Sequence, residues 1–234
     1  VAALAARYGL PFVSTRLELG PNASEATARE ARYDFFLDTA AQYQAPVVTA
    51  HHLDDLVETV ALNLVRGTGW RGLAVLNRPG VERPLLGWRK ADIRAYALAH
   101  HLEWVEDETN ASDRYTRNRL RRCIQRLLTA EQAAQITSLR DRQLALRHTI
   151  NDEVQHLLPQ FAAQRHGLIM IDEASAQELL GAMIMWAGAP RPTRPRLARA
   201  GLAIKTARPG SRHVVGDGVY LQFSPRQFTV EVVQ

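Results

Sequence analysis

Apolar and polar positions along the first half of the chain switch between helical and extended registers. Leu4, Ala5 and Tyr8, followed by Gly9, predict the last turns of a helix and its C-terminal cap. Phe12–Leu19, entered through Pro11, predicts a strand, and Gly20–Ser24 a turn. Ser24 suits the N-cap of a helix over Glu25–Tyr43, which is rich in Ala and Glu and carries Tyr33, Phe35 and Phe36. Pro46 precedes the short apolar run Val47–Ala50, the pattern of a buried parallel strand. Helical spacing returns through Leu53, Val57, Val60, Ala61 and Leu64, which predict a buried stripe ending at Arg66-Gly67. This alternation predicts an α/β layer around a parallel sheet.

Farther along, Lys90–His101 predicts a helix, Trp104-Val105 a short strand, and Glu106–Asp113 a polar loop. Tyr115–Leu158 is helical throughout, with a break near Thr129 and a stop at Pro159. Leu168–Ile171 and a helix over Ser175–Ala187 open a smaller unit. Its strands are expected at His213–Val215, Val219–Phe223 and Phe228–Val233, separated by Gly216-Asp217-Gly218 and Ser224-Pro225. The expected division is an α/β domain over residues 1–128, then a helical linker and small α+β unit over residues 129–234. No internal repeat or low-complexity tract interrupts it.

Composition narrows the class. The 234 residues are 46% hydrophobic and 23% charged, the balance of a globular protein rather than a disordered one. No apolar run approaches the ~18 residues of a membrane helix, and the opening VAALAARYGL lacks the basic and apolar regions of a secretion signal. A cytoplasmic location is expected, so Asn22-Ala23-Ser24 and Asn110-Ala111-Ser112 are chance glycosylation patterns. The lone Cys123 excludes an internal disulfide and a cysteine-based metal cluster, and reads as a small helical residue. The net charge of +5 comes mostly from arginine, which permits a polyanionic partner without requiring one. The chain opens on Val inside a predicted helix, which suggests a truncated or incompletely translated reading frame.

His51–Thr59, HHLDDLVET, carries the clearest chemistry. His51 and His52 follow the carboxyl end of the Val47–Ala50 strand, the edge where open α/β sheets bind ligands. Asp55 and Glu58 are three positions apart and share a helix face, with His51 four residues before Asp55. Two such carboxylates can hold Mg²⁺ beside a polyphosphate. A solvated acidic face at a helix N-terminus explains the same spacing. The following RGTGWRGL turn, Arg66–Leu73, brings glycines that let amides approach an anion and arginines that donate to it. It also suits an ordinary helix cap and loop. Arg117 and Arg121 share a helix face, Asn118 and Arg122 a neighbouring one. This ridge suits either phosphate contacts, with Tyr115 stacking on a base, or plain solvation.

In this order, EATAREARY (Glu25–Tyr33), HHLDDLVET, RGTGWRGL, RPLL (Arg83–Leu86) and EDETNASDRYTRNRLR (Glu106–Arg121) resemble the tRNA(Ile)-lysidine synthetase family. The resemblance covers most of Ala23–Leu128 and is loose over the C-terminal third. It implies an N-type ATP pyrophosphatase of the PP-loop, adenine nucleotide alpha hydrolase-like fold, acting as a carbon–nitrogen ligase. ATP adenylates the wobble cytidine of a CAU-anticodon tRNA(Ile) at its C2 oxygen. The ε-amine of free lysine then displaces AMP, and the lysidine formed changes decoding and charging from Met to Ile. The resemblance implies that Asp55 and Glu58 are catalytic and serve Mg²⁺. His51, His52, Arg66, Gly67, Gly69 and Arg71 would contact nucleotide or substrate, and Asp107, Asn110, Tyr115, Arg117, Asn118 and Arg121 would face the tRNA. A homodimer is compatible with it.

Two departures stand out. Leu56 occupies the place of the family's usual Gln, so a polar contact there is lost, and no SGGxDS phosphate loop occurs within residues 1–234. Residues 1–234 are therefore expected to be an inactive part of the enzyme. The rivals are a non-catalytic RNA-binding remnant and a metal-dependent phosphohydrolase using His51, His52, Asp54 and Asp55. A tRNA thiolase is disfavoured by the single cysteine. The C-terminal arginines, Arg191, Arg194, Arg196, Arg199, Arg208 and Arg212, with Lys205, suit either tRNA docking or a solvated linker.

Overall fold

The computed structural model describes residues 1–20, 23–104, 124, 128–161 and 164–233. They form two compact units, one of Val1–Thr59 with Leu76–Thr129, the other of Val60–Val75 with Ala130–Gln234.

In the first unit α1 (Ala2–Arg7) ends at Gly9, whose φ of 65° supplies the left-handed residue of its exit. The strand expected over Phe12–Leu19 is absent: these residues take no regular element, and Phe12, Val13 and Leu17 are exposed. A strand persists only where a neighbour completes its ladder, and among the described residues none lies alongside. Helix α2 (Glu25–Tyr43) begins as expected, with the Ser24 hydroxyl accepting from the Thr27 N–H at 3.0 Å. It buries Tyr33 beneath the Arg78 guanidinium, 4.4 Å from the ring centre, while Arg78 also pairs with Glu30.

The run after Pro46 forms β1 (Val47–Val48), parallel to β2 (Val81–Glu82), with Val47 opposite Val81. Thr49 extends the ladder by donating to the Glu82 carbonyl. Between these strands runs α3 (Leu53–Val65), which crosses from the first unit into the second. Its buried face differs from the expected stripe. Leu56, Val57 and Val60 are buried, but Leu64 is 58% exposed, since packing ends before the last turn. Asp54 and Glu58, one turn apart, are buried beside them. Helix α4 (Lys90–Ala99) closes the regular part of this unit, and Trp104 lies outside any strand. Residues 105–123 lie outside the described residues.

The second unit is built on α5 (Ala130–Phe161), which starts directly after Thr129. Pro159 does not stop it but lies inside its last turn, two residues from the end, where the missing N–H disturbs little of the remaining ladder. Then come α6 (Arg165–Met170), α7 (Glu173–Trp186, capped by Asp172) and α8 (Arg194–Thr206). The three expected C-terminal strands form an antiparallel sheet, β3 (Arg212–Gly216), β4 (Val219–Phe223) and β5 (Phe228–Val232). Val219, Leu221 and Phe223 alternate inward to meet Leu180 and Ile184 of α7 and Leu197 and Ile204 of α8. Arg165 is buried and donates to the carbonyls of Ile204 and Ala207, which the end of α8 leaves unpaired. No helix among the described residues is long and apolar enough to cross a membrane.

Candidate active site

The parallel strand β1 delivers Thr49, His51 and His52 to its carboxyl edge in three steps. Thr49 Oγ1 meets His51 Nδ1 at 2.8 Å, which fixes the orientation of that ring. His52 begins α3 through a reciprocal pair. Its backbone N–H donates to Asp55 Oδ2 at 3.0 Å, and the Asp55 N–H reaches His52 Nδ1 at 3.4 Å. This is a capping box in which imidazole takes the place of the usual hydroxyl. Asp55 is thereby held at the third helical position with its side chain 15% exposed. A carboxylate in the first turn is favoured by the helix dipole. Glu58 follows one turn later, only 1% exposed.

Asp54 does different work. One of its oxygens accepts from Arg89 Nε at 3.1 Å, the other from the Lys90 N–H at 2.7 Å. It therefore ties the start of α3 to the start of α4 and satisfies one of the unpaired donors of that helix. Nothing local in the sequence marks this bond across 36 residues, and neither Thr49 nor Arg89 was distinguishable as a support for the site.

The glycine-rich turn belongs to the second unit. Its path is set by the end of α3: Asn63 donates to the Gly72 carbonyl at 2.6 Å, and Thr68 donates back to the Asn63 carbonyl. Gly67 and Gly69 have φ values of 65° and 66°, and a Cβ on Gly72 would fall 1.9 Å from Thr68 Oγ1. Arg66 is exposed. Arg71, on the short 3-10 turn Trp70–Leu73, donates instead to Glu178 of α7 and Asn151 of α5. Asp107, Asn110, Tyr115, Arg117, Asn118 and Arg121 lie outside the described residues.

The structure thus brings His51, His52, Asp55 and Glu58 to one strand end and helix start, with Asp54 as their fastening. Among the described residues no three His, Cys, Asp or Glu side chains cluster as a ready-made metal cage. The arrangement offers two carboxylates on consecutive turns, with an imidazole before them.

Residues 1–128 match the PP-loop domain family, which is more than half of the chain. The chain is 44% identical to a tRNA(Ile)-lysidine synthase of Pseudomonas aeruginosa over 49% of its own length and 27% of that protein. It is 34% identical to a tRNA(Ile)-lysidine synthase of Photorhabdus laumondii, covering 84% of this chain and 47% of the relative. A tRNA(Ile)-lysidine synthase of Escherichia coli O157:H7 is 32% identical over 86% of this chain and 50% of its own length. The chain spans half or less of the length of these curated relatives. With a strand-to-helix connection over HHLDDLVET and this match, the chain belongs to the PP-loop domain family and falls among the relatives of tRNA(Ile)-lysidine synthases.

Proposed function

We propose that these residues supply part of a tRNA(Ile)-lysidine synthase, with Asp55 and Glu58 as its catalytic carboxylates. The observation that carries the reading is the helix start at His52, which holds Asp55 at the carboxyl end of β1 with Glu58 one turn behind. The cytidine C2 oxygen attacks the α-phosphorus of ATP and pyrophosphate leaves. The lysine ε-amine then adds at C2, loses a proton, and AMP departs. Adenylation turns a poor oxygen leaving group into a good one, and orientation of the reactants accounts for much of the remaining barrier.

Asp55, partly exposed at the helix start, and Glu58, buried one turn behind it, carry the hard oxygen donors that Mg²⁺ takes, and an octahedral ion held there would draw its other ligands from water and phosphate on the Asp55 side. When bound, the metal would neutralise charge on the polyphosphate. His51, oriented by Thr49, would stand beside the reacting cytidine, and His52 would fix Asp55. In the same reading, Arg66 and the amides of Gly67 and Gly69 offer contacts to an anion. Asp107, Asn110, Tyr115, Arg117, Asn118 and Arg121 would engage tRNA.

The phosphohydrolase alternative would need Asp54 as a ligand, and both its oxygens are bonded to Arg89 and Lys90. The lysidine reading is tested by incubating the protein from its complete reading frame with ATP, lysine and CAU-anticodon tRNA(Ile). Lysidine is expected in the nucleoside digest by mass spectrometry; unmodified cytidine overturns the reading. Residues 1–234 alone contain no SGGxDS motif and are expected to give no turnover.

A further inference from the structure

A cleft in the second unit gathers Arg147, Arg191 and Trp186, which the reading above leaves unused, around Arg71. It lies between α5, α7 and the Trp70–Leu73 turn, encloses about 800 Å³, and has arginine as every charged residue of its wall. Arg71, Arg147 and Arg191 supply those charges, and Asn151 and Gln155 add neutral polar groups. The rest of the wall is apolar and ends at Met185 and Trp186, which are 54% and 71% exposed.

The arginines are held in place rather than free to sweep. Glu178 accepts from both Arg71 and Arg191 at 2.7–2.8 Å, and Asn151 accepts from Arg71 at 2.9 Å. Arg147 donates to the Ala74 carbonyl at 3.3 Å. Arg191 lies across α7 at Gly181, where a Cβ would come within 2.4 Å of the guanidinium. Any larger residue there would displace it. Among the described contacts, one carboxylate thus serves two of three guanidiniums, which leaves the cleft positive. Burial, and then the neighbouring Arg71 charge, pulls the Arg147 pKa down. Burial also lowers that of Arg191, against the opposing pull of Glu178. An entering anion relieves this crowding of like charge.

We propose that this cleft binds a nucleotide through its phosphate ester, with the phosphate facing Arg71, Arg147 and Arg191 and the base against Trp186 and Met185. Guanidinium forks match phosphate oxygens in pairs, and an indole face stacks on any base. The volume lies within the range of small-ligand sites, whose walls are mostly apolar with a few convergent polar groups. The assignment stands on residues of the second unit alone and does not depend on the lysidine reading. A free nucleotide and one nucleotide of an RNA strand present the same chemistry here.

The test is calorimetric titration of the 234-residue chain with AMP, inorganic phosphate, indole-3-acetate and a short single-stranded RNA. The variants are Arg147→Gln and Trp186→Ala, the latter at a surface position where folding is safe. AMP should bind at one site, and Arg147→Gln should weaken it about tenfold or more, the loss expected of one charged hydrogen bond. Trp186→Ala should weaken AMP but leave inorganic phosphate unchanged. Competition between RNA and AMP assigns the nucleotide to an RNA strand, and independent AMP binding assigns it to the free form; each supports the site. Absence of saturable AMP and RNA binding at millimolar concentration overturns it. So does AMP binding indifferent to both variants, or indole-3-acetate binding as tightly as AMP.

Discussion

Leu56 stands where the resembling family usually carries glutamine, and its side chain is fully buried within the α3 packing face. An apolar side chain there belongs to the core, so the departure changes packing as well as removing a polar contact. Leu56→Gln should cost about 1–3 kcal/mol, because the amide would be buried without an assured partner. Thermal unfolding should show this as a fall of roughly 2–4 °C per kcal/mol. An unchanged midpoint would mean that the amide finds a polar neighbour. At the same scale, His52 serves two ends: its N–H and Nδ1 close the cap that holds Asp55.

At the scale of elements, Asp54 joins two helices that are far apart in sequence. Asp54→Ala removes the acceptor of the Lys90 N–H and of Arg89 together. The expected cost is about 2 kcal/mol, in the range of a lost helix cap with a charged hydrogen bond. In urea the midpoint should fall with the slope unchanged. His213 on β3 gives the second unit a pH dependence. Burial, and then the Arg199 charge, hold its imidazole below the usual 6.5. The folded state therefore favours the neutral ring. Its stabilisation is complete above 6.5 and is lost as pH falls through the lower folded value. Unfolding midpoints should drop over that window, and His213→Gln should remove this component.

The same scale shows what the sequence made legible. Helix α2 with its Ser24 cap, the β1 run and the three C-terminal strands follow local rules of periodicity and turn chemistry, and they were readable. Phe12–Leu19 has the pattern of a strand, but a ladder partner is not a local property. Helix α8 was hidden by its arginines, although Leu197, Ala200 and Ile204 keep its buried face and Arg196 pairs with Asp217. The HHLDDLVET helix start was visible as spacing, whereas the different bonding of Asp54 and Asp55 depends on Arg89 and Lys90, 35 and 36 residues from Asp54. The cleft around Arg147 joins residues from three separated segments, which no linear motif marks.

For the whole molecule, membership of the PP-loop domain family explains why a short parallel ladder and one acidic helix are kept together. In the proposed enzyme, Arg117 and Arg121, which lie outside the described residues, are expected to contact tRNA phosphates. The double substitution Arg117→Ala with Arg121→Ala should weaken tRNA binding and reduce its salt slope by nearly two units, one for each lost phosphate contact. An unchanged slope removes both residues from the phosphate footprint. The carboxylates bear the proposed chemistry more directly. ATP-dependent transfer of labelled lysine to CAU-anticodon tRNA(Ile) is measured with the protein from its complete reading frame, beside its Asp55→Asn and Glu58→Gln variants. The unaltered protein should transfer lysine, and each folded variant should lose about 100-fold or more in kcat while still binding tRNA. Transfer by either variant at the unaltered rate would contradict the assignment of Asp55 and Glu58 to the reacting centre.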